Sequence, residues 1–496
     1  MNKPNHVIFI GGNLSLFGGK VIAGFRLRSA IRKHGYDLMV IDNAGVMAQE
    51  ELTDLLDAVV TDETLVIGFS TIWLDSYASY HLRWAHSDFF KLLKSKYPHV
   101  KFVAGGPENH WCTRGKTIYE NCDWVFSGFS DDSFPRFLNY LLKKPDHGFK
   151  YFFDNEGKRI VDGNVIFPVP TPDDIETIFD KDDGFLPHQP LPLEVSRGCV
   201  FKCSFCHHPF LGVKDPDKYI RTPESIANEL KRNYELFGTT RYTILDDTFN
   251  DSMEKLDRLH RAIDLSKIPK FEFVSYIKPE LLVTKPEMIP KLQELGLASG
   301  YMGIESFKSE SRKAIRKGMD VNRILDVVSN IRSKTDITFE ASFIIGLPHE
   351  SIEEVSETNR FCTKHRDSLF TGWHFQGMTI YYNKNLEGQS EIDKEPEKFG
   401  YEIIEKRPDE PAEWKNKYMN RAQAANYAYG FNYAAAKYRR TAGWGLSTCW
   451  HLNIPDDDVK NKTTGELEII ARGVANTRKE AIELLKKYNI TVRPYK

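Results

Sequence analysis

Short apolar segments with strand character alternate with amphipathic helical segments in two series along this chain of 496 residues. The first series occupies residues 1–145, and the second starts at Leu191 and continues to about residue 385. In the first series each apolar run ends in Gly, Ser or Asp, which is typical of a parallel sheet with helices on both faces. Ligands bind beyond the carboxyl ends of such strands, so the loops after the strands are the expected places for chemistry.

The two series predict an α/β fold with two sheets. Residues 1–145 are expected to form a Rossmann-like or flavodoxin-like parallel sheet. Residues 146–190 are rich in Asp, Gly, Pro and Lys, and we expect a linker there with a small hairpin near residues 154–157. Residues 191–385 contain six β/α units, which fit a partial (β/α)6 barrel. Residues 386–496 lose the strand alternation and are expected to be a mostly helical C-terminal region.

Three cysteines stand close together directly after the first strand-like run of the second series. Cys199, Cys203 and Cys206 form a C-x3-C-x2-C triplet. Thiolates hold iron–sulfur clusters, and three of them can bind three irons of a four-iron cluster and leave the fourth iron open to a small molecule. The alternatives are a structural zinc completed by His207 or His208, although zinc sites favour a different ligand spacing, and no metal at all.

Composition narrows the class of protein further. The seven cysteines are odd in number and concentrated at one place, which indicates metal binding in a reducing compartment rather than disulfides. The net charge of −2 gives no sign of bulk nucleic-acid binding. No apolar run approaches the roughly 20 residues that span a bilayer, and the first residues do not resemble a signal peptide. We therefore expect a cytoplasmic protein with neither a membrane nor a nucleic acid as its partner.

The cysteine triplet, with Phe205 just before its last member, resembles the signature of the radical S-adenosylmethionine (SAM) enzymes. Motifs similar to others of that family follow at the ends of predicted strands: D-D-T-F at residues 246–249, G-I-E-S at 303–306 and I-I-G-L-P at 344–348. The resemblance covers about residues 190–385 and implies a 4Fe–4S cluster on the three cysteines, with SAM chelated to the open iron. It also implies that SAM is bound by Phe205, Asp246, Asp247, Glu305, Ser306 and Gly346.

The first series resembles the cobalamin-binding domain that precedes the barrel in one branch of the radical SAM enzymes. The matching positions are Asn13 in the glycine-rich first loop, Ser70 after the third strand, and Gly105 and Gly106 after the fourth. Two features depart from the pattern. The D-x-H-x-x-G motif, whose histidine replaces the lower cobalt ligand, is absent, and residues 128–131 read G-F-S-D where G-E-G-E is usual. Relatives with this domain include some that bind cobalamin and some that do not, so both alternatives stay open at this point.

The resemblance implies an enzyme that cleaves SAM reductively to a 5′-deoxyadenosyl radical, which then attacks a small-molecule or peptide substrate. With cobalamin the expected outcome is C-methylation, whereas without it the substrate radical would rearrange or be oxidised. Such chemistry needs an electron donor such as flavodoxin or ferredoxin. The alternative from another class is a non-catalytic metal-binding module, and the intact strand-end motifs argue against it.

Overall fold

A computed structural model shows two compact α/β units, which divide near residue 187. No helix among the residues that it describes is both long and apolar enough to cross a membrane. The described residues are 5–11, 22–41, 44, 47–70, 86–106, 116–153, 157–163, 171–183, 185, 189–206, 215–381, 390–405, 411–440, 442–451, 456–463 and 466.

The described residues of the first unit form seven strands and five α-helices. The strands are β1 Val7–Ile10, β2 Leu38–Ile41, β3 Val66–Ser70, β4 Lys101–Gly106, β5 Trp124–Ser127, β6 Phe152–Phe153 and β7 Arg159–Asp162. The helices are α1 Ile22–Arg32, α2 Gln49–Val59, α3 Ser87–Lys96, α4 Lys116–Asn121 and α5 Ser133–Leu141. The sheet order is β2-β1-β3-β4-β5-β7-β6, and every pairing except that of β6 with β7 is parallel. This order confirms the flavodoxin-like prediction.

Both faces of this first sheet are apolar, because side chains alternate between the two faces along each strand. Ile8 and Ile67 are fully buried in the core on one face. Val7, Phe9 and Phe134 are buried in a separate core on the other face. Helices must therefore cover both faces, which is the arrangement that the continuous apolar runs of the sequence predict.

The predicted linker, residues 146–190, requires a correction. Strands β6 and β7 form the expected hairpin, whose turn at residues 154–156 lies outside the described residues, but β7 also pairs with β5 and so extends the first sheet. Farther along, Arg28 donates a hydrogen bond of 2.7 Å to Asp183, and Phe179 is buried. The composition of this segment is typical of a loop and does not indicate that its apolar and ion-paired residues attach it to the first unit.

The second unit is built on six parallel strands. They are β8 Leu191–Leu193, β9 Arg241–Ile244, β10 Glu272–Ile277, β11 Leu297–Glu305, β12 Thr338–Ile345 and β13 Gly372–Gly377. The helices between them are α6 Pro223–Phe237, α7 Met253–Ser266, α8 Pro279–Thr284, α9 Met288–Glu294, α10 Ser309–Ala314, α11 Val321–Lys334 and α12 Ile352–Lys364. Each strand pairs in parallel with the next strand along the chain. This arrangement confirms the predicted partial (β/α)6 barrel.

Residues after β13 are mostly helical, as the sequence predicts, and they add one hairpin. The elements are α13 Glu391–Lys394, β14 Glu402–Glu405, β15 Glu413–Lys415, α14 Arg421–Ala435, α15 Trp444–His451 and α16 Asp456–Asn461. Helix α14 packs on β13, and the amide of Asn432 exchanges hydrogen bonds of 2.8 and 3.0 Å with the backbone of Phe375. The side chain thereby satisfies backbone groups on the edge strand of the partial barrel, which would otherwise be open to pairing.

Candidate active site

The cysteine loop leaves the sheet directly after β8 and lies at the carboxyl end of the barrel strands. Cys199 is buried at 8 % exposure, whereas Cys203 and Cys206 are partly exposed. The backbone N–H of Cys206 donates to the carbonyl of Cys203 at 3.1 Å, and the N–H of Ser204 donates to the carbonyl of Ile315 at 3.4 Å. The loop is therefore a tight turn that is held against the segment after α10.

All three cysteines line one cavity of about 310 Å³. The other lining residues come from the cysteine loop itself, which contributes Phe205, from the loop after β9, which contributes Asp247, from the carboxyl ends of β10 to β13, and from Lys317 after α10. A (β/α) barrel places its chemistry at this end of its strands. The structure thus brings together the cluster triplet and part of the predicted SAM site.

The donor set of this cavity fits an iron–sulfur cluster with one open iron. Three sulfurs from one loop face the same space, and no further Cys or His belongs to the described residues that line it. A structural zinc site would need a fourth protein ligand. His207 and His208, which could supply one, lie outside the described residues.

Asp246, a predicted SAM contact, is not among the residues that line the cavity. Its carboxylate is buried and accepts hydrogen bonds from the N–H groups of Val195 and Ser196 at 2.9 and 3.1 Å. The ammonium of Lys255 lies 3.4 Å away and is also fully buried. Asp246 therefore holds the start of the cysteine loop against the end of β9, and of the Asp pair only Asp247 faces the cavity.

Glu305 lines the cavity as part of a buried ion pair. Its carboxylate accepts a hydrogen bond of 2.8 Å from Lys317, whose ammonium also donates to the carbonyl of Gly303 at 2.6 Å. Burial opposes the charge of Lys317, but the carboxylates of Glu305 and Glu280 together raise its pKa. A Cβ on Gly303 would lie 2.8 Å from the Lys317 ammonium, so a glycine is needed to make room for the pair.

The strand is irregular at Glu305. The register of β11 against β12 shifts between Gly303 and Glu305, and Glu305 has a φ of +67°. A non-glycine residue in this left-handed region costs of order 1–3 kcal/mol, and such strain clusters at functional sites. Tyr301, Gly303 and Glu305 occupy alternate positions of β11 and all line the cavity, so Glu305 stays on the cavity face despite the bulge.

Ser306, which is also predicted in the SAM site, is not among the residues that line the cavity. Its hydroxyl donates a hydrogen bond of 2.6 Å to the buried carboxyl group of Glu350. Burial raises the pKa of Glu350 to about 8, although the hydrogen bond from Ser306 acts in the opposite direction. Ser306 thus joins the ends of β11 and β12, and Glu350 is a buried carboxyl group that stays protonated at neutral pH.

The wild type is expected to become less stable toward unfolding as the pH rises, because Glu350 is buried. We predict that Glu350→Gln abolishes this decrease. Between about pH 4.5 and 8 the folded chain keeps a proton that the unfolded chain releases, so the wild type loses stability as the pH rises through this window. The variant should therefore unfold at higher denaturant concentration than the wild type at pH 8, by an amount that increases from pH 5. Denaturant titrations at several pH values measure this, with exposed Glu357→Gln as the control that should show no such trend.

Gly346, another predicted SAM contact, is not among the residues that line the cavity. Its φ is +96°, and a Cβ there would lie 2.5 Å from the ring of Trp414. Its carbonyl accepts hydrogen bonds from Tyr401 and Asn416 at 2.7 and 3.1 Å. The close approach that requires glycine is therefore made by a buried tryptophan from the C-terminal region, while Ile344 on the same strand lines the cavity.

We predict that Gly346→Ala destabilises the second unit more than Gly400→Ala does. Both glycines have left-handed φ values, +96° and +81°, so both substitutions bear the backbone cost of roughly 1–2 kcal/mol. Only Gly346 faces a ring, whereas nothing lies within 4 Å of a Cβ on Gly400, so steric overlap should add about 1–3 kcal/mol. Thermal unfolding of both variants measures the difference, and equal midpoints would contradict the role of Trp414.

A group of polar side chains inside the barrel was not predicted from the sequence. The Tyr301 hydroxyl lies 2.5 Å from Nε2 of His374, and Glu340 lies 3.3 Å from Nδ1 of the same ring. Ser342 and Gln376 each approach His374 Nε2 at 3.5 Å and, like Tyr301, line the cavity. Glu340 and Ser342 lie two positions apart on β12, and His374 and Gln376 lie two positions apart on β13. This period of two is the sequence signal that could have identified them.

In the first unit, the predicted cobalamin-site positions lie at the carboxyl ends of β3 and β4. Ser70 is buried and pairs with Gly105, and Gly106 follows as the last residue of β4. Asn13 lies outside the described residues, as do the segments that follow β3 and β4. The structure therefore brings three of the four positions to one edge of the sheet.

Comparison with known proteins identifies the barrel. Residues 193–362 match the radical SAM superfamily. An uncharacterized methyltransferase of Pyrococcus horikoshii is 27 % identical over 356 residues, which are 68 % of this chain and 72 % of that protein. The chain therefore contains a radical SAM domain. Radical SAM enzymes require a 4Fe–4S cluster, SAM, a reductant and a substrate.

Two solved structures share the fold of nearly the whole chain. The radical SAM methyltransferase TsrM of Kitasatospora setae superimposes with a TM-score of 0.64 at 13 % identity, covering 96 % of this chain and 99 % of that one. The cobalamin-dependent radical SAM enzyme OxsB, with aqua-cobalamin bound, gives a TM-score of 0.61 at 13 % identity, covering 99 % of this chain and 76 % of that one. At this identity the likeness concerns the fold.

Proposed function

We propose that the chain is a cobalamin-dependent radical SAM methyltransferase that acts on a small-molecule or peptide substrate. The observation that carries the proposal is the succession of a flavodoxin-like unit and a barrel with a three-cysteine cavity. The same succession occurs in solved enzymes that contain cobalamin, one of which is a methyltransferase. The relative from Pyrococcus horikoshii is also called a methyltransferase.

The residues of the cavity would hold and shield the reacting groups. When bound, a 4Fe–4S cluster supplies the electron that splits the sulfonium of SAM and gives a 5′-deoxyadenosyl radical. Cys199, Cys203 and Cys206 would hold three of its irons. Asp247 and Glu305 offer carboxylates to the amino and hydroxyl groups of SAM, where charge-assisted hydrogen bonds are strong.

The remaining lining of the cavity divides into an apolar and a polar part. Ile344 and Phe205 would contact the adenine of SAM, with Phe205 contributing its backbone. Tyr301, Ser342 and Gln376 present hydrogen-bonding groups on the strands farthest from the cysteine loop. A substrate that enters there would meet donors and acceptors that fix its orientation toward SAM.

In the first unit we assign cobalamin to the strand ends at Ser70, Gly105 and Gly106, together with Asn13. Ligands of open parallel sheets bind at this edge. The sequence has no D-x-H-x-x-G histidine, so we expect no protein nitrogen on the lower face of cobalt. The six described cysteines form no disulfide with one another, which suits the reducing cytoplasm, where flavodoxin or ferredoxin would supply the electron.

Anaerobic purification with metal, sulfide and corrinoid analysis tests the proposal. We expect about four irons and four sulfides per chain, reductive cleavage of SAM, and hydroxocobalamin that stays with the protein through gel filtration. The retained corrinoid should have a base-off spectrum without a protein nitrogen ligand. Stoichiometric zinc without iron would overturn the radical SAM assignment for this chain.

A cobalamin-free reaction is the second candidate, and the missing D-x-H-x-x-G motif is the observation that favours it. The same purification separates the two. If the iron is present and SAM is cleaved but no corrinoid is retained after reconstitution, the proposed cobalamin-dependent methyl transfer is contradicted. A radical rearrangement or oxidation of the substrate then takes its place.

A further inference from the structure

One cavity residue contacts a cluster cysteine directly. The hydroxyl of Thr248 lies 3.4 Å from the sulfur of Cys199, within hydrogen-bond range for sulfur. Both side chains are 8 % exposed, and both line the cavity. Thr248 follows Asp247 in the loop after β9, so it reaches the cysteine loop from the neighbouring strand.

The direction of this hydrogen bond depends on whether the sulfur carries a hydrogen. A thiol can donate to the Thr248 oxygen, while the hydroxyl donates to the Asp247 carbonyl at 2.8 Å. A thiolate that ligates iron has no hydrogen, so it can only accept. With a cluster in place, the contact with Cys199 is therefore favourable only when the Thr248 hydroxyl donates a hydrogen bond to the sulfur.

A buried ion cluster fixes the positions of both partners. The ammonium of Lys255 is fully buried and donates to the carbonyl of Thr248 and to Asp251, both at 2.9 Å. The same ammonium lies 3.4 Å from Asp246, which binds the two N–H groups at the start of the cysteine loop. Thr248 and the cysteine loop are thus held by one network, which leaves the hydroxyl little freedom to move away from Cys199.

We propose that Thr248 is a positioning residue that donates a hydrogen bond to the Cys199 sulfur in the cluster-loaded enzyme and makes the cluster easier to reduce. Hydrogen bonds to cluster sulfurs are among the factors that set the reduction potential. A donor withdraws negative charge from the sulfur and so favours the reduced cluster, which carries one more electron. The inference rests on the proposed radical SAM function, because it requires a cluster on Cys199.

The test is an EPR-monitored redox titration of the reconstituted holoenzyme with no substrate added. Thr248→Val removes the hydroxyl and keeps the shape, and we expect its midpoint potential to shift to a more negative value than that of the wild type. Thr248→Ser keeps a hydroxyl and should stay near the wild type. Thr243→Val is the matched control, since it removes a buried β9 hydroxyl that pairs with Ser447 and not with a cysteine.

The outcomes separate this inference from the proposed function. An unshifted Thr248→Val potential at full iron content would overturn the role of Thr248 and leave the function intact. Zinc in place of iron in the wild type would overturn both. If Thr248→Val and Thr248→Ala both lose iron while Thr248→Ser retains it, the hydroxyl is needed to hold the cluster, which also supports the positioning role.

Discussion

Cys203→Ala is expected to give a folded protein that holds no intact cluster and does not cleave SAM. Three thiolates would hold the irons in the proposed site, so the loss of one leaves an incomplete ligand set that the described cavity residues cannot replace. The cost to the fold should be small, since the Cys203 side chain is partly exposed. Iron and sulfide content, the visible absorbance and 5′-deoxyadenosine formation under a strong reductant measure the result.

The matched control is Cys362→Ala. Cys362 is fully enclosed in helix α12 and does not line the cavity, so its loss should reduce stability slightly without affecting iron. Retention of a full cluster and of SAM cleavage in Cys203→Ala would show that the triplet is not the cluster site. Loss of iron in the control as well would mean that iron content follows general stability.

The strands could be predicted because a parallel strand that is buried on both faces consists of a nearly continuous run of apolar residues. The apolar segment V-I-F-I at residues 7–10 coincides with β1, and the segment F-E-A-S-F-I-I at residues 339–345 lies within β12. The strand-like segment that begins at Leu191 extends to Val195, whereas β8 ends at Leu193, because Asp246 binds the N–H groups of Val195 and Ser196 and draws the chain into the cysteine loop. That interaction joins positions 50 residues apart, which a local pattern cannot reveal.

The site was predictable in composition but not in the direction of its side chains. The motifs at strand ends bring the right segments to the cavity, yet Asp246 and Ser306 turn away from it. The register shift between Gly303 and Glu305 also leaves no mark in the G-I-E-S motif itself. At Gly346 the group that approaches closely is Trp414, which comes from residues that follow the barrel and which the motif at residues 344–348 cannot indicate.

Glu305→Gln is expected to lower SAM affinity about tenfold or more while the cluster remains. If Glu305 binds SAM, the substitution removes one charge-assisted hydrogen bond, which is worth roughly 1.5–3 kcal/mol. The substitution also leaves the buried ammonium of Lys317 without its nearest carboxylate, which typically costs about 3–5 kcal/mol of stability. Glu280, another acid near this ammonium, should offset part of that cost. SAM binding to the iron-loaded protein and thermal unfolding measure the two effects separately.

Lys317→Met distinguishes a SAM ligand from a purely structural ion pair. It removes the cation and keeps the carboxylate, so both variants lose stability, but a carboxylate released from Lys317 is free to bind the cationic SAM. SAM should therefore raise the unfolding temperature of Lys317→Met more than that of Glu305→Gln. Exposed Glu310→Gln, which makes the same change of charge outside the cavity, should bind SAM as the wild type does. Equal SAM affinity in Glu305→Gln and Lys317→Met would show that Glu305 stabilises the barrel and does not bind SAM. Asp247 would then be the remaining carboxylate among the described cavity residues that could bind the polar groups of SAM.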